Sequence, residues 1–367
     1  MKKKTKKTVL VGMSGGVDST MAAFLLKEEG FNVIGATMKI WDGRFKMEGQ
    51  LKSGCYGPGE EEEIRSAKEA ARKIGVRHIV VDLKKEYGET VLDNYIETYL
   101  KGKTPNPCVR CNQKIKFGLL LEKAKQSGID FDYFATGHYV QTSFNPARGR
   151  FVLKKSADRI KDQSYFLYRL SQEQLSKLIF PLGSYTKDKI KALARKIGLG
   201  ELADKHESQD FSECKDKAVF FEDKDVRPGN IIGKDGKILG KHDGIVNFTV
   251  GQRKGLDISN NDGALYVIKI NAKKNEMIVG TKDDLYCKSL IAEDLNWVAI
   301  DNLQEPKKLT GKIRLHQSEQ ACIVTPQQDG SASVEFETPV MSITPGQSIV
   351  FYDSDVVVGG GTISKTI

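Results

Sequence analysis

Two stretches of this 367-residue chain carry the residue types that chemistry needs. The first is Gly12-Met13-Ser14-Gly15-Gly16-Val17-Asp18-Ser19-Thr20. Its paired glycines let the backbone approach an anion and take angles that other residues resist. A helix starting there would add unpaired amides and a dipole that attract phosphate. Ser14 and Ser19 supply hydroxyls, and the Asp18 carboxylate suits a magnesium ion or the cap of the helix. No Gly-Lys-Ser/Thr follows, which excludes a Walker-type loop. The second stretch is Thr104-Pro105-Asn106-Pro107-Cys108-Val109-Arg110-Cys111-Asn112. Cys108 and Cys111 form a C-x-x-C pair suited to metal or redox chemistry. Two prolines in three residues exclude a helix or central strand, so the pair is expected on a rigid loop.

The surrounding pattern must position both stretches. An apolar run at 8–11 enters the glycine loop, a helical pattern over 21–30 leaves it, and a second apolar run follows at 31–38. That is a parallel strand–loop–helix–strand unit. Met38 falls at the carboxyl end of the second strand, the end that faces the ligand crevice in doubly wound sheets. Residues 43–59 lack periodicity and read as a mobile loop. A helix is expected over 60–74, where Glu60 to Glu63 sit at a start that welcomes acid and require no other role. A strand over 76–83 and helices over 87–101 and 113–127 come next. A short strand at 131–136 ends in Gly137-His138-Tyr139, a small polar end suited to a base or ribose. Another strand is read at 151–155, and residues 182–197 are amphipathic and basic. Beyond residue 206 short β runs appear at 231–239, 244–250, 265–271 and 276–279. Strands then predominate, with a hairpin signal at Asp329-Gly330. The expected fold is α/β: a doubly wound parallel sheet over 1–205, a small β-rich central domain over 206–282, and a C-terminal β-barrel-like domain over 283–367.

Composition narrows the class. Lys and Arg outnumber Asp and Glu by 57 to 48, and the net charge of +9 favours a polyanionic partner. The basic run from Lys2 to Lys7 reads as a solvated tail. No apolar run approaches the ~18 residues that span a membrane, and the run at 8–11 is too short for a signal peptide. A cytoplasmic, monomeric protein is expected. Six cysteines in a chain this long do not make a disulfide scaffold.

The loop resembles the SGGxDS signature of PP-loop pyrophosphatases, which split ATP between its α and β phosphates. Together with Met38, Ala135–Tyr139, Lys161–Tyr168, Pro181–Thr186, Ser208–Phe211, Gly251–Leu256 and Pro345–Asp353, the Pro-Cys segment resembles the tRNA-specific 2-thiouridylases. These enzymes place sulfur on C2 of the wobble uridine. The resemblance implies that Gly12, Met13, Ser14, Gly15, Gly16, Val17, Asp18, Ser19, Met38 and Gly137 bind ATP with Mg2+. It implies that Asn106, Pro107 and Cys108 lie against the flipped-out base. His138, Lys161, Asp162, Gln163, Arg314, Leu315 and Gln347 occupy tRNA-contacting positions. ATP would adenylate the uridine oxygen, and sulfur would then displace AMP. Another PP-loop enzyme, such as a different tRNA thiolase or an amidating synthetase, remains an alternative, as does a non-catalytic RNA-binding protein.

The chain departs from that pattern at its thiols. Many members carry aspartate where Cys108 stands, and cysteine where Ser212 follows Phe211; Cys214 lies two residues on. Cys111 keeps its position. Two sulfur routes therefore stay open. In one, a carrier protein loads a persulfide on Cys214 or Cys111, and the other thiol releases it by forming a disulfide. In the other, Cys108, Cys111 and Cys214 bind a [4Fe–4S] cluster whose open iron holds sulfide, and the three thiols lean toward this route. Zinc with His206 is a third reading. Cys55, Cys287 and Cys322 have no paired spacing and are read as incidental.

Overall fold

The computed structural model describes residues 6–47, 53–205, 210–214, 216–258 and 263–367. His206, Ser208, Gln209 and the tail from Lys2 to Lys4 lie outside the described residues, as do residues 48–52 of the expected loop. The chain forms two compact units. One comprises Met1–Val91, Cys108–Lys215 and Asp355–Val357; the other comprises Leu92–Pro107, Asp216–Ser354 and Val358–Ile367.

In the first unit β1 (Thr8–Gly12) leads through α1 (Val17–Glu28) to β2 (Asn32–Lys39). A short β3 (Gly54–Tyr56) precedes α2 (Glu60–Lys73), β4 (Arg77–Asp82) and α3 (Lys84–Tyr87). After a π-helical turn, α4 (Asp93–Leu100) belongs to the second unit. A helical run then passes through α5 (Pro107–Arg110), a π-helical stretch at Cys111–Leu119, and α6 (Leu120–Gln126). β5 (Tyr133–Thr136) and the hairpin of β6 (Val140–Asn145) and β7 (Arg150–Lys155) follow. The unit closes with α7 (Gln172–Ser176), β8 (Leu178–Ile179), α8 (Lys187–Lys196), α9 (Gly200–Asp204) and β9 (Asp210–Ser212).

Strands β4-β2-β1-β5-β8 make one parallel sheet in that order. The chain steps outward from β1 to β4 and then returns to β5 on the other side of β1. The order therefore reverses between β1 and β5, and the crevice at their carboxyl ends is where such folds bind ligands. Alternation along β1 splits its side chains between two cores. Val9 and Val11 face α1, α2 and α8 through Met21, Ala22, Ala67, Ala71 and Ile190. On the other face Phe134 meets Phe117 edge-on, with centroids 5.6 Å apart. The small alanines of α1 and α2 let both helices lie close to the sheet.

Three expectations are corrected here. The rigid-loop reading of 104–112 fails after Asn106, because a helix begins at Pro107. Proline is favoured at the first helical position, where its missing N–H costs nothing and its φ is already helical. Cys108 and Cys111 therefore occupy the first turn of a helix, at i and i+3. Residues 54–56 are a strand rather than loop: β3 pairs in parallel with β9, Gly54 opposite Asp210 and Tyr56 opposite Ser212. Glu60 is buried, and its carboxylate accepts the amides of Ile40 and Trp41, so it anchors the chain beyond β2 as well as meeting the helix dipole.

The second unit holds two β assemblies. β10 (Gly229–Ile232), β11 (Ile238–His242), β12 (Tyr266–Asn271) and β13 (Glu276–Gly280) order as β11-β10-β13-β12 around Ile231, Phe248, Val267 and Met277. The strand expected at 244–250 is instead a 3-10 turn at Ile245–Asn247, because Gly244 and Gly251, at φ +155° and +92°, break extension at both ends. The remaining strands are β14 (Tyr286–Trp297), β15 (Lys307–Lys312), β16 (Gln320–Pro326), β17 (Ala332–Met341), β18 (Ser348–Asp353) and β19 (Val356–Thr366). They run β14-β17-β16-β15-β18-β19, and β19 pairs back with β14 to close a six-stranded barrel. Leu290, Val324, Phe336, Phe351 and Ile363 fill it, and closure leaves no edge to aggregate.

The segment before Pro107 is fastened to this barrel. Thr104 N–H donates to the Pro345 carbonyl at 2.8 Å, and Gln347 Nε2 donates to the Pro105 carbonyl at 2.7 Å. Gly346 turns at φ +92° with the Thr104 carbonyl oxygen 2.6 Å from where a Cβ would stand. Gly346→Ala is therefore expected to cost about 1–3 kcal/mol, from strain and overpacking against rigid backbone. A denaturant melt checks this; an unchanged midpoint would mean that the segment yields freely.

Candidate active site

The glycine loop is built from backbone held on three sides. Met13 N–H donates to the Ala36 carbonyl at 2.8 Å, and Thr37 Oγ1 donates to the Met13 carbonyl at 2.7 Å. Gly15 turns at φ +77° against α2, where a Cβ would meet the Glu63 carbonyl at 2.8 Å. Ser19 Oγ accepts from the Ser14 amide at 3.1 Å and donates to the Gly16 carbonyl at 3.2 Å, so this side chain folds the loop onto the helix start. Gly16 precedes α1 and offers no side chain to cap it. The first-turn amides thus face the crevice with their share of the helix dipole, as an anion site requires. From β5, Gly137 approaches so closely that a Cβ would lie 2.7 Å from the Asp18 carbonyl carbon and the Ser19 nitrogen. Met38 is half-buried at the carboxyl end of β2.

Asp18 does not cap the helix. It lies inside the first turn, and its two carboxylate oxygens have separate donors. Tyr139 Oη donates to Oδ1 at 2.8 Å, and Lys187 Nζ donates to Oδ2 at 2.6 Å. The Lys187 side chain is 8% exposed and that of Asp18 26%. Exposed pairs such as Lys73–Glu69 contribute under about 1 kcal/mol, whereas removing one partner of a buried pair costs about 3–5 kcal/mol. The cation that stands beside Asp18 is thus supplied by the chain, and the carboxylate is not an open magnesium ligand. The sequence held one signal of this: Lys187 opens α8, where the dipole disfavours a cation that has no partner.

The thiols gather around the start of the Cys111 helix. Burial pushes the Cys108 thiol up to about 12, helped by the thiols of Cys55 and Cys111, with Lys116 opposing. Burial likewise pushes Cys111 up to about 11, with Lys116 lowering it and Cys55 raising it. Cys55, which the spacing dismissed, is thus the third thiol of this group; strand β3 delivers it from a segment with no periodicity to reveal it. Tyr56 beside it stacks on Tyr87 at 5.5 Å, and Tyr87 feels all three thiols. Ser212 is buried opposite Tyr56 and accepts the Cys214 amide at 3.1 Å. Among the described residues no three His, Cys, Asp or Glu side chains are grouped to hold a single metal ion, so the zinc reading finds no ligand set there. The Cys111 helix connects to the phosphate loop through one corner: Gly137 touches the Asp18 backbone, and the adjoining His138 ring lies 5.8 Å from Phe117 on that helix.

Family models match nearly the whole chain: a tRNA methyl transferase HUP domain over residues 7–214, a tRNA methyl transferase PRC-barrel domain over 220–281, and an aminomethyltransferase beta-barrel domain over 287–363. A tRNA-specific 2-thiouridylase MnmA of Endomicrobium trichonymphae is 46% identical over 361 residues, covering 98% of this chain and 99% of its own. A second, MnmA 1 of Caldanaerobacter subterraneus subsp. tengcongensis, is 48% identical over 365 residues, covering 98% of each. The chain belongs to the tRNA-specific 2-thiouridylase family. A solved 4-thiouridine synthetase–RNA complex with bound ATP aligns over 58% of this chain and 45% of its own at 18% identity and TM-score 0.34.

Within a 2-thiouridylase the positions expected to contact tRNA turn out to have uneven surroundings. Asp162 is buried, with its carboxylate accepting from the Ser156 amide at 2.9 Å and Ser164 Oγ at 2.7 Å. Gln163 Oε1 accepts the Tyr139 amide at 3.0 Å. Lys161 is half-buried beside the exposed Ile160. His138 shares Nδ1 with Thr136 Oγ1 at 2.7 Å, and burial, with Lys116 near, holds its pKa well below the ordinary value, so the ring is neutral. In the second unit Arg314 reaches the Val250 and Ser342 carbonyls and Thr344 Oγ1, and Leu315 beside it is half-buried. Gln347 is spent on the segment that ends in Asn106 and Pro107. Most of these side chains therefore shape the surface rather than project from it. No helix among the described residues is long and apolar enough to cross a membrane.

Raised thiols make slow nucleophiles, since the thiolate is what reacts. In iron-free protein, alkylation of Cys111 by iodoacetamide is expected to keep accelerating between about pH 9 and pH 11. Peptide mass spectrometry reads the rate; a plateau below about pH 9 would reveal a thiolate stabilised by a cation.

Proposed function

We propose that this chain catalyses ATP-dependent 2-thiolation of the wobble uridine of tRNA, in the cytoplasm. The observation that carries the reading is the corner at Gly137-His138, through which a phosphate loop and a cysteine-bearing helix share one unit. ATP would lie in the crevice between β1 and β5, its phosphates on the amides that open α1, with Met38 and Gly137 at the rim. The uridine O2 attacks the α-phosphorus and pyrophosphate leaves, with its charge met by the loop amides. Sulfur then attacks C2 and AMP departs.

Cys111 is the thiol that delivers the sulfur. Its persulfide, loaded by a carrier protein, attacks through the terminal sulfur, giving a C2–S–S–Cys111 link as the C2–O bond to AMP breaks. A neighbouring thiol then attacks the Cys111 sulfur, leaving sulfur on C2 and a disulfide that an external dithiol must reduce. Cys108 feels the charge of Cys111, and Cys111 feels that of Cys55, so Cys108 and Cys55 are candidates for that second thiol beside Cys214. The number of thiols keeps a second reading open, although no three of them are grouped to hold a single metal ion among the described residues. Thiolates are cluster ligands, and in that route Cys108 and Cys111, with Cys55 or Cys214 as third, would hold three irons of a [4Fe–4S] group whose open iron would hold sulfide. For the metal that accompanies ATP, the paired Asp18 is a poor anchor, so the phosphates themselves would be its main ligands.

Incubation with unmodified tRNA, ATP and a persulfide donor tests the reading, with AMP and 2-thiouridine as products. Cys111→Ser is expected to abolish 2-thiouridine while tRNA binding persists; retained thiolation would remove Cys111 from its role. Asp18→Asn loosens the loop and is expected to slow AMP formation by at least about tenfold, the equivalent of 1.4 kcal/mol. Anaerobic protein carrying about four irons and thiolating with free sulfide would establish the cluster route.

A further inference from the structure

Tyr139 joins two features that the proposed reaction uses separately. It is 2% exposed and is gripped at its backbone by one residue: its N–H donates to Gln163 Oε1 at 3.0 Å, and its carbonyl accepts the Gln163 amide at 3.0 Å. Its hydroxyl reaches the other way to Asp18 Oδ1 at 2.8 Å. A second arm runs beside it. Asp158 Oδ1 accepts the amides of Ile160 and Lys161, both at 3.1 Å, while Oδ2 accepts the Lys187 amide at 2.9 Å. Lys187 holds the remaining oxygen of Asp18. The segment 158–163 thus ends on both oxygens of one carboxylate.

The outer face of that segment looks built for RNA. Its carboxylates, Asp158 and Asp162, turn inward onto backbone amides. What remains outward is Arg159, ion-paired with Asp355 at 2.7 Å, Ile160 at 94% exposure, and half-buried Lys161. One exposed isoleucine is ordinary by itself, but an apolar side chain flanked by an arginine, whose carboxylate partner a phosphate could replace, and a lysine suits the bases and phosphates of RNA.

We propose that Tyr139 is a positioning residue that ties RNA docking on residues 158–163 to the setting of Asp18, so that ATP is cleaved efficiently only when tRNA is seated. This rests on the thiolation reading above. Segment and loop share rigid hydrogen bonds, so ordering one restricts the other, and the coupling is reciprocal. Its use is plain: without it, the loop would spend ATP on water.

The test compares AMP formation by the full chain with and without saturating unmodified tRNA, for the wild type and Tyr139→Phe. Phenylalanine fills the same space and removes only the hydroxyl. The stimulation by tRNA is expected to fall about tenfold, with tRNA affinity held within about twofold. Undiminished stimulation, or a loss explained wholly by weaker tRNA binding, would overturn the inference and leave the function standing. A wild type that forms AMP no faster with tRNA would overturn both. Should Tyr139→Phe melt early, Gln163→Met, which removes the side-chain bond of the two at the other end, must reproduce the lost stimulation at saturating tRNA; if it does not, the coupling is refuted.

Discussion

Backbone meets backbone where β5 passes the phosphate loop, and the rest of the site is arranged around that approach. Gly137 lies against the Asp18 and Ser19 main chain with no room for a methyl group. Because the contact involves two main chains and no adaptable side chain, it fixes where the loop sits relative to the strand. The next residue, His138, then faces Phe117 and the helix that bears Cys111, and the residue after it is the Tyr139 that holds Asp18. Three consecutive residues thus set the loop, the thiol helix and the loop's charge. The reversal of strand order between β1 and β5 opens the crevice, and this close packing gives it a defined shape.

Much of this was legible in the chain. The glycine loop and its flanking apolar runs lie in one local stretch, and local patterns survive folding. The strand ending at Thr136 and the glycine after it were readable for the same reason. What misled was proline chemistry taken one way only: Pro107 ends an extended segment, but it also opens a helix, and the cysteines ride on the helix. What escaped were partners contributed from far away in sequence. Lys187 meets Asp18 across 169 residues, and β3 pairs with β9 without any hydrophobic alternation to announce either strand. Cys55 followed β3 into obscurity. β19 was also missed, since glycines interrupt its apolar pattern just where the barrel closes.

The thiols illustrate how environment overrides inventory. The motif spacing counts Cys108, Cys111 and Cys214, yet the exposed Cys55 is the thiol whose charge bears on the first two. Buried thiols at rest stay protonated and unreactive toward stray electrophiles. Lys116 draws Cys111 in the opposite direction, toward the thiolate, but burial outweighs it.

The barrel's grip on Thr104 and Pro105 also bears on how the protein is made. These residues hydrogen-bond to Gln347 across 242 residues and more, and within the first unit Lys154 pairs with Val356. Both units therefore await the same short stretch near residue 350 before either is complete. A nascent or truncated chain, however well its glycine loop has folded, still lacks the fastening ahead of Pro107.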